Sequence, residues 1–197
     1  MKNHPAIILV MVLVLAFATS ADEWAFDKAH STVGFSVSHM LISSVEGKFG
    51  EYDGKVIFDG KDITKGSVEI TIPVASVNTD NEKRDSHLKT SDFFDAEKYP
   101  NITFKSTKIV KTGNKAFTMT GDLKMKGVTK SVTLDCNLNG VITDPWGNTR
   151  AGFSAEGKIN RHDFNVAWDN KLQDGSFIVG EEVSINLHIE LTKVEHK

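Results

Sequence analysis

The chain has 197 residues, of which 40% are hydrophobic and 25% charged, and its formal net charge is −3 at pH 7. This length suits one domain with a substantial core. The slightly acidic balance, without a block of basic residues, gives no support to nucleic-acid binding, and the single cysteine, Cys136, excludes an intramolecular disulfide.

The first residues have the order of a secretory signal peptide. Lys2 precedes a wholly apolar run from Ala6 to Phe17, and small residues follow as far as Ala21. The apolar run is shorter than the ~20 residues that a membrane-spanning helix needs. We therefore expect residues 1–21 to be cleaved and residues 22–197 to form an exported domain that does not span a membrane.

Most of the remaining chain alternates between apolar and polar residues. In 182–193, for example, Val183, Ile185 and Leu187 alternate with polar side chains. Period-two alternation predicts strands with one apolar face and one solvated face. The clearest such segments are 31–38, 66–73, 101–110, 115–125, 128–142, 150–159 and 182–193.

Turn residues separate these segments and favour antiparallel neighbours. They occur at 112–114, 126–127 and 144–148, while Gly47, Gly50 and Gly54 predict a bulge or bend in a second strand region. About eight long strands form either a sandwich or a closed barrel. We favour the all-β antiparallel barrel for two reasons. Small residues lie beside large ones on the apolar face, and closing the sheet into a barrel removes its exposed edge strands.

Residues 76–100 are polar and charged, and they interrupt the alternation for too long to be a simple turn. Asp80 or Asn81 is a good cap for a short helix reaching Lys89, within a helical excursion at about 80–95. A long excursion in a compact domain is usually functional, and in a barrel it would cover one mouth. Phe93 and Phe94 would either close that mouth or anchor the segment.

Several short motifs together resemble a known family. They cover the chain from about Trp24 to Leu191, and the ordered set is more specific than any one piece. In chain order they are Asp27–Ser31 (DKAHS), His39-Met40, Gly47–Phe49 (GKF), Arg84–Leu88 (RDSHL), Asp92–Asp95 (DFFD), Tyr99–Phe104 (YPNITF), Gly121–Leu123 (GDL), Gly127–Lys130 (GVTK) and Asn160–Phe164 (NRHDF). This set is similar to the YceI family of bacterial polyisoprenoid-binding proteins.

The resemblance implies an extended eight-stranded antiparallel, lipocalin-like barrel with a long apolar chain in its lumen. Family ligands are isoprenoid quinones, polyprenyl phosphates or similar amphiphiles, and many members are periplasmic, in agreement with the signal peptide. The family's usual Arg-x-Asp-Phe-Gly ends here in Asn165 in place of glycine.

The inward parity of the strands supplies a candidate lumen wall, in which methionine suits a flexible tail. Alternatively, these side chains simply fill one another's space. Including the two aromatics of the excursion, the candidates are Phe35, Val37, Phe49, Val68, Ile70, Phe93, Phe94, Phe104, Phe117, Met119, Leu134, Phe153, Ile185 and Leu187. Cys136 has the same parity and is expected to be a small buried hydrophobe.

Three polar residues of the excursion, Arg84, Asp85 and His87, are candidates for contact with a headgroup at the mouth. Arginine offers a forked donor to phosphate, and histidine offers a second donor. The alternative is that Arg84 and Asp85 fix the segment. His30 and His39 lack metal-ligand spacing, and we expect neither a metal nor a cofactor.

The function we predict is binding of a long-chain isoprenoid lipid by a periplasmic carrier, storage or stress-related protein, and not catalysis. The alternative is an enzyme or redox partner acting on a bound isoprenoid quinone; the sequence lacks a Gly-x-Ser-x-Gly elbow, a phosphate-binding loop and a dinucleotide fingerprint. We expect a monomer or homodimer that makes at most transient contact with a membrane.

Overall fold

The computed structural model describes residues 22–195, so the predicted signal peptide lies outside the described residues. One α-helix and eleven strand segments follow in chain order. They are β1 (Asp22–Phe26), β2 (Thr32–His39), β3 (Ser43–Phe49), β4 (Asp53–Phe58), β5 (Ser67–Pro73), β6 (Val77–Asn78), α1 (Glu82–Leu88), β7 (Asn101–Lys111), β8 (Ala116–Met125), β9 (Val128–Thr143), β10 (Thr149–Asn160) and β11 (Val179–Lys193). The segments predicted from alternation are all strands.

The eleven segments combine into eight long antiparallel strands. β1 and β2 both pair with β11, so together they form one interrupted strand. β3 pairs with β2 and β4 pairs with β1, so β3 and β4 form a second interrupted strand. β5 and β6 form a third interrupted strand. Because β11 pairs back to β1 and β2, the sheet closes, and the predicted barrel is confirmed.

Backbone irregularities coincide with features of the sequence. The break between β3 and β4 begins at Gly50, whose amide N donates to the Ser76 carbonyl O at 3.0 Å. In the β7–β8 pair the register shifts between Ser106 and Lys108. That bulge reverses the parity of β7, so Phe104 and Ile109 both pack against the core although they are an odd number of residues apart.

The connections divide between the two ends of the barrel. One end, called here the upper end, carries the β2–β3 turn at 40–42, the excursion at 79–100, the β8–β9 turn at 126–127 and the segment 161–178. The opposite, lower end carries the connections at 59–66, 112–115 and 144–148. The two longest connections therefore lie at the same end.

The excursion contains the predicted short helix. The Asn81 side chain caps α1 by accepting from the Arg84 amide N at 3.0 Å, as one of the two predicted caps. Lys126 Nζ donates to the Ser91 carbonyl O at 2.8 Å and ties the β8–β9 turn to the excursion. Across residues 22–195 the structure has no helix long and apolar enough to cross a bilayer.

Asn165 takes the backbone conformation that a glycine would favour. It follows the 3-10 turn Arg161–Phe164 and has φ 59° and ψ 19°. Asparagine is among the few non-glycine residues that adopt this left-handed conformation readily. The exchange of glycine for asparagine is therefore compatible with the same turn.

Candidate functional site in the barrel lumen

The barrel encloses an elongated cavity of about 260 Å³ whose accessible wall is entirely apolar. On β8 alone the lining runs from Phe117 through Met119 and Leu123 to Met125. Eight residue steps along a strand correspond to roughly 27 Å. The volume lies just below the ~300–1,000 Å³ that is usual for small-molecule pockets. The site is therefore long and narrow.

All fourteen residues that the sequence proposed for the lumen line this cavity. Period-two parity was a sufficient signal for those on strands, because alternate side chains of a barrel point inward. Leu88 of α1 and Val166 of the segment 161–178 also line it. They lie outside the strands, so the period-two alternation did not identify them.

Aromatic packing closes the lower end of the cavity. The Trp24 and Phe58 rings stack with centroids 4.7 Å apart, and Trp24 Nε1 donates to the Phe58 carbonyl O at 3.0 Å. Both side chains are 1% exposed. The Phe153 ring meets Phe58 edge-on at 5.6 Å. A ligand tail would therefore enter from the upper end.

The excursion covers part of the upper end. Phe93 is buried, and its ring lies 5.5 Å from that of Trp168 in the segment 161–178. The Phe94 ring approaches Phe49 of β3 at 6.2 Å. The two neighbouring phenylalanines thus contact different elements, Trp168 of the segment 161–178 and Phe49 of β3, and both line the cavity.

The cover is looser beside β2 and β11. The register between these two strands shifts there: Val179 pairs with His39 and Val183 pairs with Val37, so four residues of advance along β11 match only two along β2. Val37, Val179 and Val183 line the cavity but remain half-buried. This side of the upper end is where the apolar wall approaches solvent.

Arg84 and Asp85 are directed at the excursion's own backbone. Arg84 Nε and Nη2 donate to Thr79 Oγ1 and Thr79 O, each at 2.7 Å, and Asp85 Oδ1 accepts from Thr79 N and Oγ1. Neither residue lines the cavity. This geometry matches the alternative in which the pair fixes the segment.

His87 lies nearer to the cover, although it also lies outside the lining. Its Nε2 is 2.9 Å from Asp92 Oδ2, and its ring meets Phe93 and Trp168 edge-on at 5.0 and 5.7 Å. The side chain is 43% exposed. Of the three polar candidates, His87 alone contacts the aromatic residues at the upper end.

A buried arginine, Arg161, holds the segment 161–178 against β11. It is 4% exposed, and its guanidinium donates to four acceptors at 2.7–3.2 Å: Gly180 O, Val166 O, Val179 O and Asp169 Oδ1. Such saturation makes it a structural anchor of the upper end. The sequence marked Arg161 only as part of a family motif.

A second arginine network lies at the lower end. Arg150 Nη1 is 2.6 Å from both Asp27 Oδ2 and Glu190 Oε1, and its Nε is 2.6 Å from Asp144 Oδ2. The hydrogen bond from His30, followed by that from Arg150, lowers the pKa of Asp27 to about 2. The pKa of Asp144 is also lowered, first by Arg150 and then by Asn148. Asp27 Oδ1 also closes a local turn by accepting from the Ala29 amide N at 3.1 Å.

Asp27, His30 and Glu190 bring possible metal ligands within 4.8 Å of one another. The Arg150 guanidinium already bonds both carboxylates there, so a cation would compete with a fixed positive charge. Cys136 is buried on the lumen wall as predicted, and burial raises the pKa of its thiol to about 12. The thiol therefore stays protonated and behaves as an apolar group.

Comparisons with known proteins agree with the barrel fold. A sequence profile of the YceI-like domain matches residues 24–191. Protein YceI of Escherichia coli O157:H7 is 44% identical over 170 residues, which cover 85% of this chain and 88% of that protein.

Solved structures give the same picture. The YceI protein of Campylobacter jejuni superposes with a TM-score of 0.70 at 39% identity, covering 86% of this chain and 96% of that one. A polyisoprenoid binding domain from Saccharophagus degradans, implicated in plant cell wall breakdown, has a TM-score of 0.66 over 87% of this chain and 98% of that one. At 13% identity, this second likeness is one of fold.

Proposed function

The chain belongs to the YceI-like domain family, and from this membership we propose that it binds the tail of one long-chain isoprenoid lipid in its lumen. The observation that carries the proposal is the long, entirely apolar wall of the cavity. A polar substrate would leave its hydrogen-bonding groups unpaired against such a wall. The polyisoprenoid-binding domain of the same fold supports the same class of ligand.

The energetics favour a tail of several isoprene units. Burying one methylene contributes ~0.8 kcal/mol, so a five-carbon unit adds on the order of 3–4 kcal/mol before ordering costs are subtracted. Met119 and Met125 on the lining strand β8 suit a branched, flexible chain. The tail needs little help from polar contacts.

The headgroup of such a lipid would remain at the upper end, because the stacked Trp24 and Phe58 close the lower end. His87 is the best placed of the polar candidates, since it is partly exposed and adjoins Phe93 and Trp168. An isoprenoid quinone, a polyprenyl phosphate or a similar amphiphile fits this arrangement.

We propose further that the protein is a periplasmic carrier or storage protein. This proposal rests on the signal-peptide pattern of residues 1–21. A polyprenyl lipid is insoluble in the aqueous space between two membranes, and a barrel with an apolar lumen would shield its tail there.

Solvent extraction of the purified protein, followed by mass spectrometry, tests the proposal. The protein is produced with its own first 21 residues, so that it meets the lipids of the compartment it normally reaches. We expect a prenyl-tailed molecule at close to one per chain. An extract without any long-chain lipid, together with a solidly packed lumen, would contradict binding.

The alternative, an enzyme or redox partner acting on a bound quinone, predicts a different result. Reduction or turnover of added quinone would have to be catalytic and would be abolished by His87→Ala. We expect stoichiometric binding without turnover. Arg84 and Asp85 are both bonded to Thr79, which supports a structural role for them over an acid–base set with His87.

A further inference from the structure

The tip of the β2–β3 turn exposes three consecutive large apolar side chains. Met40 is 37% exposed, Leu41 68% and Ile42 86%. Among residues 22–195 the other exposed large hydrophobics are Val110, Val141, Ile142 and Trp146. The tip lies at the upper end, beside Val37 and Val179 of the cavity lining.

The backbone of this turn is unusual for the residues it holds. Met40 and Leu41 have φ of 52° and 60°, and the Ile42 amide donates to the His39 carbonyl at 3.2 Å. Two-residue turns with both central φ positive favour Asn-Gly or similar pairs. The β8–β9 turn of the same barrel has φ of 45° and 79° and holds Lys126-Gly127. Two large apolar residues thus occupy strained positions where they are exposed.

The part of the hairpin nearest the tip carries no formal charge. From Ser31 to Val45 the sequence has no Asp, Glu, Lys or Arg, although a quarter of the chain is charged. Charged residues begin further from the tip, with Glu46 and Lys48 on β3 and with Glu181 and Glu182 on the paired strand β11. Insertion of the tip alone into an apolar phase would therefore desolvate no charged residue between Ser31 and Val45.

We propose that the Met40–Ile42 tip inserts into the interface of a lipid bilayer and docks the cavity's open side on the membrane. A protein partner fits the tip less well, because stable interfaces bury ~800 Å² on each side, with about 20–30 residues, and the tip offers three side chains. A small convex apolar knob needs no complementary surface in a fluid bilayer. The inference rests on the proposed function for its purpose, which is transfer of the lipid between bilayer and lumen.

Flotation with vesicles of phosphatidylethanolamine and phosphatidylglycerol that lack any isoprenoid tests the docking. The protein is the processed chain 22–197, and the test variant is Met40→Asn/Leu41→Gly/Ile42→Thr, which keeps a sequence suited to the same turn. The control, Ile142→Thr/Trp146→Asn, removes side chains that are 63% and 81% exposed at the lower end.

We expect the wild type and the control to float with the vesicles, and the tip variant to lose roughly tenfold or more in vesicle affinity. Binding should persist in about 1 M salt, where charge interactions are screened within ~3 Å. Absence of wild-type flotation, equal flotation of the tip variant, or loss only in the control would overturn the proposal.

Because these vesicles contain no isoprenoid, the result is independent of what the lumen binds. A protein that floats but yields no lipid on extraction refutes the proposed function and retains the docking surface. A protein that carries lipid but does not float refutes the docking surface and retains the proposed function.

Discussion

The rings of Phe93 and Trp168 lie with their centroids 5.5 Å apart and their planes at 30°. Phe93 belongs to the excursion after β6, and Trp168 to the segment between β10 and β11. Their contact joins the two longest connections of the barrel over one end of an apolar cavity. The contact therefore covers part of the end at which a bound tail would leave the cavity.

Truncation of Trp168 tests this cover. Because the side chain is half-buried, Trp168→Ala should cost less than the 3–5 kcal/mol typical of a fully buried aromatic. Lipid release into acceptor vesicles should become faster, since Phe93 loses its partner. Trp146→Ala is the control: Trp146 is 81% exposed, and its loss should change the free energy of unfolding by less than about 0.5 kcal/mol. Equal release rates for both variants would refute the role of the contact.

Gly121 allows Phe104 to lie flat against β8. A Cβ added at Gly121 would lie 2.3 Å from Phe104 Cζ and 2.6 Å from the Lys105 carbonyl O. Gly121→Ala should therefore lower the free energy of unfolding by about 1–3 kcal/mol, measured by urea titration. The matched variant Gly140→Ala lies on β9, where an added Cβ meets nothing within 4 Å. It should be neutral or slightly stabilising, and a similar loss in both variants would contradict the packing argument.

The β2–β3 turn should be stabilised by glycine. Leu41 has φ 60°, a conformation that costs an L-residue on the order of 1 kcal/mol, so Leu41→Gly should raise the free energy of unfolding by about that amount. Ser44→Gly, in the adjoining strand β3, should lower it by about 0.5–1 kcal/mol. If Leu41→Gly also lowered the stability, the turn would not be strained.

The Arg150 network should make the fold sensitive to acid. The pKa of Asp27 is lowered to about 2, and that of Asp144 is also lowered, against an unfolded value of ~3.9. The carboxylates are charged in both states above pH ~4, so their stabilisation is fully present there and is lost as the pH falls towards 2. Urea titrations at several pH values should show that Arg150→Met costs most above pH 4. A difference from wild type that does not shrink towards pH 2 would contradict this.

The sequence predicted most of the fold because inward and outward positions alternate along nearly every strand. Phe117, Met119 and Leu134 needed only parity to be placed in the lumen. In β7 the bulge near Ser106 changes which alternate residues point inward, and no short sequence motif predicts that bulge. The interrupted strand formed by β3 and β4 was likewise visible only as glycines in a poorly periodic region.

Contacts between distant segments were beyond the sequence. Arg150 bonds Asp27 across 123 residues, and nothing local distinguishes Arg150 from other charged residues. Arg84 and Asp85 were adjacent polar residues of a candidate headgroup site, and only the fold shows that both bond to Thr79. Trp168 lies in a segment without strand periodicity, and its role depends on where the excursion places Phe93.

The most direct test of the central claim is native mass spectrometry of the folded protein with its lipid. Ala155→Trp places a large ring on the cavity wall, whereas Ala25→Trp makes the same change at an exposed position of β1. We expect one prenyl-tailed lipid on each wild-type and Ala25→Trp chain, and none on folded Ala155→Trp chains. Equal lipid occupancy of the two variants, or an empty wild-type protein, would contradict binding in the lumen.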